Sequence, residues 1–322
     1  MVNLPENSSI NIFKGVLILL VIIGHILIGP LNDNFIRFII YSFHMPLFFF
    51  ISGYLIKFDK LKMMSLKEFA EKYTKRLLKG WSVAWIIYTL LILNTQISIK
   101  SLIQYTIYPY YHLWFIPTLF SMFLLLFLLS KIASKKTIII IGVLIGILCH
   151  TIKVSLNIKI PPYFDLSQIP FFLVGLSLQN YKSDIGIRNN WIIVLTVLTS
   201  FIIIFYAYDN PMVPFQKFWF LPLNFCLCFA VCGILKKEYT YSWKSRLYKR
   251  ITPFTTSMLV NLGKNTYSIY LWHVLPLLFY KYFLSNDYLA IYYIISFISL
   301  FIFLICYTQK NIKNENNRIY SC

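Results

Sequence analysis

The residues best suited to chemistry are the chain's five histidines, which all lie within or at the ends of long apolar segments. Imidazole titrates near neutral pH and serves as a general base. An ionisable side chain at membrane depth is costly and by default indicates a functional site, although a neutral histidine can simply bridge two helices by hydrogen bonds. Three histidines at similar depth (His25, His44 and His273) favour function over bridging. The other two are His112 and His150.

The segment NIFKGVLILLVIIGHIL carries a lysine and a histidine that are eleven residues apart, Lys14 and His25. Eleven steps of about 100° return to nearly the same helix face, about 16.5 Å further along the axis. One face of this helix would therefore present a cation near one boundary and an imidazole towards the other side. A lysine at the end of a span also commonly extends its ammonium to the interface, so that role stays open for Lys14.

The segment YSFHMPLFFFISGYL places His44 two residues before Pro46. Proline removes a backbone donor and disrupts a helix, which a membrane tolerates where neighbouring helices or cavity water satisfy the freed carbonyl. The pattern predicts a bend in this helix that presents His44 to a polar cavity shared with His25.

The elements that must position these residues are membrane helices. The chain is 58% hydrophobic and only 13% charged, with a mean hydropathy of +0.68, which excludes an ordinary soluble domain. A span needs about 20 apolar residues to cross a core of about 30 Å. We predict an all-α polytopic membrane protein with about ten transmembrane helices, of which the third, sixth and ninth are short or polar enough to be tilted or broken. The candidates are residues 12–30, 35–56, 81–95, 112–130, 137–152, 166–180, 191–208, 218–235, 264–284 and 288–308.

The net charge of +19 is mostly a topology signal. Twenty-two of the 30 lysines and arginines fall in alternate loops and in the C-terminal tail, which predicts that these loops and both termini are cytoplasmic. Because the charges are scattered over separate loops, they do not form a basic groove, and we expect no nucleic-acid partner. The six cysteines show no C-x-x-C pair, so we expect neither a disulfide framework nor a metal site.

The two histidine segments together resemble the signature of the membrane acyltransferase-3 family, and particularly its fucose 4-O-acetylase-like branch. Most relatives carry arginine where this chain has Lys14, followed after ten residues by histidine. The second pattern, FHMPLFFxxSGY, is met in full by residues 43–54 and is the most specific motif in the chain. Four later landmarks follow in order: EKYTKRLLKGW at 71–81, HLWFIPTLF at 112–120, PFFLVG at 170–175 and LGKNTYSIYLWH at 262–273.

The resemblance covers essentially the whole chain and implies a bacterial inner-membrane O-acyltransferase. Such an enzyme moves an acetyl group from acetyl-CoA to a hydroxyl of a surface or lipid-linked carbohydrate. It implies a single acyltransferase domain over residues 1–322 that ends in a short cytoplasmic tail at 309–322. No cofactor is expected to be tightly bound, since acetyl-CoA is a substrate, and the expected partners are the donor, the carbohydrate and membrane lipids.

The predicted site has an acid–base part and a donor-binding part. His25 is the first candidate for the base that takes the proton of the sugar hydroxyl. His44 would orient the donor, stabilise the developing oxyanion or share the base role. Lys14, Lys75 and Arg76 would contact the phosphates of CoA, since arginine can grip a phosphate with two hydrogen bonds. The remaining predicted contacts for donor or acceptor are Ser52, Tyr54, Trp114, Asn265 and His273.

Two other classes of protein would also place polar residues inside about ten helices. One is a transporter or flippase for a polar metabolite or a lipid-linked sugar, although no matched pair of broken helices in two halves is visible. The other is an inactive scaffold of a polysaccharide-assembly complex, which would tolerate substitution of His25 and His44.

Overall fold

The computed structural model describes residues 8–93, 98–110, 112–179, 190–209, 213–240, 253–284 and 289–319, and every regular element in these ranges is helical. Helices are the expected solution in lipid, because they satisfy the backbone hydrogen bonds within one segment. The all-α prediction is therefore confirmed. The basic loop predicted at 181–190 and most of that at 236–250 lie outside the described residues.

The helices are α1 Ser8–Ile26, α2 Phe35–Tyr54, α3 Phe58–Met63, α4 Leu66–Tyr73, α5 Lys79–Leu93, α6 Ile99–Ile107, α7 Phe115–Ile132, α8 Lys135–Ser155, α9 Ile169–Leu178, α10 Asn190–Asp209, α11 Val213–Thr240, α12 Pro253–Lys264, α13 Thr266–Trp272, α14 Val274–Leu284 and α15 Leu289–Ile319.

Within the described part of the chain, five helical segments are long and apolar enough to cross a membrane. They correspond to the first five predicted spans, and helices also occur at the other five places, four of which contain a shorter apolar helix. A multi-pass membrane protein is thus supported, while the count of ten and the side of each terminus stay predictions. The five segments are Ser9–Ile26, Phe35–Tyr54, Leu66–Leu93, Phe115–Ile132 and Lys135–Ser155.

Three helices differ from their predicted bounds in informative ways. The third span continues a helical run from Leu66, through a π-helical turn at Thr74–Leu78, instead of beginning at residue 81. The ninth is divided at His273 into α13 and α14, as its polar composition suggested. The last helix continues to Ile319, so the predicted tail from residue 309 is largely helical.

The chain divides into two compact units. The first contains residues 1–44 and 233–322, and the second contains residues 45–232. The division falls within α2, between His44 and Met45 and just before Pro46, although the helix itself is unbroken from Phe35 to Tyr54.

The first unit is built on close packing between α1 and α12. Glycines at 15 and 263 face the backbone of the opposite helix, so that a Cβ built on Gly15 would overlap the carbonyl of Leu259, and one on Gly263 would overlap the carbonyl of Asn11. Small residues that allow two backbones to approach are the usual means of association between membrane helices, since burial from water contributes little there. This contact fixes α1, which carries Lys14 and His25.

The second unit contains a similar contact between the C-terminal half of α2 and α9. A Cβ on Gly53 would overlap the carbonyl of Phe172, and one on Gly175 would overlap the carbonyl of Phe50. Phe50 is fully buried and Phe172 is nearly so. The SGY part of the second motif and the glycine of PFFLVG are therefore the two sides of one helix crossing.

Candidate active site

Three of the predicted residues come together in the first unit, two of them against Tyr41 and the third against His25. The hydroxyl of Tyr41 lies 3.3 Å from Nδ1 of His25. The Tyr41 ring also meets that of His44 edge to face, with centroids 5.1 Å apart. On its other side the His25 ring lies 5.1 Å from that of His273. The structure thus brings together His25, His44 and His273, which come from the first, second and ninth predicted spans.

His44 is buried, and its Nδ1 lies 2.6 Å from the carbonyl oxygen of Ile40, one helical turn back. Because a carbonyl only accepts, Nδ1 must carry the proton and donate it. The neutral ring then has its lone pair on Nε2. His44 can therefore accept a hydrogen bond or a proton at Nε2, whereas donation from Nε2 to an oxyanion requires the imidazolium.

His273 follows the same rule at the break between α13 and α14. Its Nδ1 lies 2.8 Å from the carbonyl oxygen of Tyr270 and 3.1 Å from that of Ile269. Nδ1 is again the donor, and the neutral ring keeps its lone pair on Nε2. The helix backbone thus sets the tautomer of two of the three clustered histidines, whereas Nδ1 of His25 faces a tyrosine hydroxyl, which can donate or accept.

Lys14 lies on α1 with His25, and the unbroken helix from Ser8 to Ile26 confirms that one continuous element carries both. The Lys14 side chain is half-buried. The end of α1 is also tied to the last helix, because the backbone N–H of Ile28 donates to the hydroxyl of Tyr293 at 3.2 Å.

Lys75 and Arg76 lie in the second unit, in the π-helical turn between α4 and α5. Both side chains are exposed. The turn follows α4, which begins with a reciprocal capping box: Glu68 N–H donates to the Ser65 hydroxyl, and Ser65 N–H donates to the Glu68 carboxylate. Single π-helical turns inside α-helices occur frequently at functional sites, which fits a donor-binding segment.

Packing against α7 orients this basic segment. The Phe69 ring stacks on that of Phe127 at 4.5 Å, and the Tyr73 ring lies 4.9 Å from that of Phe123. These apolar contacts leave the opposite, basic face of the run exposed to solvent. Lys131, in the last turn of α7, instead donates to the carbonyls of Lys62 and Met64 at the end of α3, which gives it a structural role.

The other predicted contacts mostly serve their own helices. The Ser52 hydroxyl donates to the carbonyl of Phe48 at 2.8 Å, and the amide of Asn265 donates to the carbonyl of Asn261 at 2.9 Å. Tyr54 is half-buried, with its ring 6.1 Å from that of Phe50. Trp114 is half-buried too and packs near Phe49 and Phe115. Their part in substrate binding stays a prediction.

Sequence reasoning missed Tyr41, which contacts two of the histidines. The signal was present, because Tyr41 lies three residues before His44, and residues three or four apart share a helix face. In a chain that is 19% aromatic, however, a tyrosine next to a motif is most simply interpreted as packing.

Comparisons with known proteins establish the family of the chain. The acyltransferase-3 family model, described as an acyltransferase domain, matches residues 7–308. The chain is similar to nodulation protein NolL of Mesorhizobium japonicum, with 26% identity over 288 residues, which cover 83% of this chain and 75% of that protein. No solved structure matches the chain significantly. Because the family model spans nearly the whole chain, this multi-pass membrane protein belongs to the acyltransferase-3 family and is an acyltransferase.

Proposed function

We propose that the chain is an O-acetyltransferase of the bacterial inner membrane, which transfers the acetyl group of acetyl-CoA to a hydroxyl of a cell-surface or lipid-linked carbohydrate. The observation that carries this proposal is the grouping of His25, Tyr41, His44 and His273 in one compact unit of an acyltransferase. Imidazoles outside bulk water are suited to taking a proton from a hydroxyl near pH 7.

The reaction begins when His25 takes the proton of the acceptor hydroxyl. The alkoxide oxygen attacks the thioester carbonyl carbon, and the tetrahedral intermediate collapses with cleavage of the carbon–sulfur bond. The CoA thiolate leaves and takes up the proton held by His25, so the base is regenerated. The products are the acetyl ester and free CoA, and no redox step is needed.

His44 assists this step through Nε2. Its Nδ1 is already committed to the carbonyl of Ile40, so the neutral ring accepts a hydrogen bond from an N–H of the donor or from the acceptor hydroxyl. This supports orientation of a substrate or a shared base role more than stabilisation of the oxyanion. His273, whose ring lies against that of His25, completes the wall of the proposed pocket.

The donor's phosphates are bound by cations in this proposal. Arg76 and Lys75 are exposed in the π-helical turn, where a charged ligand can reach them from water. Arginine suits a phosphate because its guanidinium donates two parallel hydrogen bonds. In the first unit, Lys14 is the predicted donor-binding cation on the same helix as His25.

The acceptor is proposed to be a sugar on the strength of the fucose 4-O-acetylase-like motif pattern. In the second unit, Trp114 offers an aromatic face for a sugar ring, and Ser52 and Tyr54 are further predicted contacts; in the first unit, Asn265 is the predicted contact. Substrate choice resides in such a site and not in the fold.

The first test uses purified protein with acetyl-CoA labelled in the acetyl group. We expect label to move to carbohydrate acceptors prepared from the native cell surface, with release of free CoA. Movement of a sugar substrate across reconstituted vesicles without any acetyl transfer would instead support the transporter class. Mass spectrometry of surface glycans from cells with and without the gene would then identify the acetylated hydroxyl.

The second test replaces the proposed base. His25→Ala is expected to abolish acetyl transfer while the protein still reaches the membrane at normal levels. His150→Ala is the matched control, because His150 lies in α8 of the second unit and has no part in the cluster. Unchanged acetylation by His25→Ala would show that another group is the base.

A further inference from the structure

We infer that Tyr41 is the positioning residue of the proposed base: its hydroxyl oxygen accepts the Nδ1–H of His25 and so leaves the lone pair of the neutral ring on Nε2. This inference rests on the proposed function in that it assigns a task to the same cluster. The 3.3 Å separation between Tyr41 Oη and His25 Nδ1 is the contact on which it stands.

The direction of the hydrogen bond follows from the chemistry that the base performs. If the tyrosine O–H donated to Nδ1, the only lone pair of His25 would point at Tyr41, and Nε2 would carry a proton. Such a ring could not take a proton from a substrate at Nε2. With Nδ1–H donating to the tyrosine oxygen, Nε2 takes the proton and the Nδ1 bond is retained in the imidazolium. No tautomer change is then needed during the reaction.

The same arrangement orients bases in other enzymes, where a third group holds the second ring nitrogen. Here the backbone performs this task for His44 and His273, through the carbonyls of Ile40 and Tyr270. Tyr41 performs it for His25. In all three rings Nδ1 then donates a hydrogen bond within the protein and Nε2 carries the lone pair, so the three histidines have the same tautomer.

The surroundings of Tyr41 hold its ring in place. The guanidinium of Arg37 lies 5.1 Å from the ring centroid, within the range of a cation–π interaction, and Arg37 also donates to the carbonyl of Gly29. Gly24 of α1 leaves the space that the ring occupies, because a Cβ there would lie 2.9 Å from Cε2 of Tyr41. His44 contacts the ring edge to face. The hydroxyl is thus presented to His25 by a ring with contacts on several sides.

Tyr41→Phe tests the inference, because it keeps the ring and its contacts and removes only the hydroxyl. We expect kcat for acetyl transfer to fall about tenfold, which corresponds to the loss of one hydrogen bond of ordinary strength. KM for acetyl-CoA is expected to change by less than about twofold, since the hydroxyl does not bind the donor. Tyr280→Phe is the matched control: its hydroxyl lies 2.9 Å from that of Ser299 in the same unit, and no histidine is involved.

A spectroscopic readout separates positioning from folding. In protein labelled with ¹⁵N-histidine, the His25 signals are identified by their loss in His25→Asn. We expect Nδ1 of His25 to give the resonance of a protonated ring nitrogen and to shift in Tyr41→Phe, but not in Tyr280→Phe.

The outcomes distinguish this inference from the proposed function. Full kcat in Tyr41→Phe, or a His25 Nδ1 resonance that is unprotonated or unmoved, would overturn the inference while leaving an active acetyltransferase. A loss of kcat no larger than that of Tyr280→Phe would make Tyr41 merely structural and would overturn it too. If the wild type transferred no acetyl group, the proposed function would fail, and the ¹⁵N signals would still report on the hydrogen bond.

Discussion

Substitution of Gly175 by alanine should destabilise the second unit even though alanine is the better helix former. A Cβ at position 175 would lie 2.8 Å from the backbone nitrogen of Tyr54 and 2.9 Å from the carbonyl carbon of Phe50, and would overlap the carbonyl oxygen. Ordinary contacts between such atoms are about 3.5–4.0 Å, so α2 and α9 would have to separate by about 1 Å. Backbone cannot swing aside as the end of a side chain can.

The matched control is Gly142→Ala in α8 of the same unit. There the new Cβ would come too close only to the terminal methyl of Leu173, which can rotate away. Both substitutions gain the same intrinsic helix preference, about 1 kcal/mol, so that gain cancels in the comparison. Overpacking against a fixed backbone typically costs about 1–3 kcal/mol, and we place Gly175→Ala in the upper half of that range.

The assay is thermal unfolding of both purified variants in the same detergent. At about 2–4 °C per kcal/mol, Gly175→Ala should unfold roughly 4–12 °C below Gly142→Ala. Equal melting temperatures, or a higher value for Gly175→Ala, would show that the two backbones do not meet at this point and would refute the reasoning.

Three further predictions concern other contacts. Gly263→Val should push α1 away from α12, because the new side chain would overlap the carbonyl of Asn11, and should lower acetyl transfer at least about tenfold with every clustered histidine still present, as measured with labelled acetyl-CoA. Trp85→Phe removes a 2.9 Å hydrogen bond to the backbone of α6 and should reduce stability by about 1 kcal/mol in thermal unfolding, with KM for acetyl-CoA unchanged. Asp165→Asn removes the salt bridge to Lys153, whose side chain is a third exposed. The free energy of unfolding should fall by about 1 kcal/mol in thermal unfolding. If this decrease vanishes in high salt, the pair is screened as if it were fully exposed.

Hydropathy predicted the helices well because lipid leaves the backbone so few alternatives. The first five spans were located to within a few residues at most of their ends. The start of the third was not, because the amphipathic residues from Leu66 to Lys79 are helical through packing on α7, which a span-length criterion does not detect. The division of the ninth span was predictable from its polar residues, whereas its position at His273 depends on local hydrogen bonds.

The sequence singled out the three histidines that cluster in the structure, but it did not give the orientation of their rings. Residue type and spacing indicated His25, His44 and His273, because an imidazole in an apolar helix is rare enough to be informative. Which nitrogen of His44 meets the carbonyl of Ile40 depends on a side-chain rotamer, which the sequence does not record. Tyr41 was missed for a related reason: only its placement beside His25 distinguishes it from the many aromatic residues that pack.

Because α1 is unbroken from Ser8 to Ile26, it fixes the axial distance and the angle between Lys14 and His25. The rise per residue of a helix is fixed, so under the proposed mechanism the donor spans a fixed interval between a charged group near Lys14 and a carbonyl carbon at His25. Inserting one residue between them would rotate His25 by about 100° relative to Lys14 and lengthen the interval by about 1.5 Å. Such an insertion would retain every chemical group of α1, and under the proposed mechanism we expect it to stop acetyl transfer, because the mechanism depends on the spacing and orientation of Lys14 and His25 as well as on their identity.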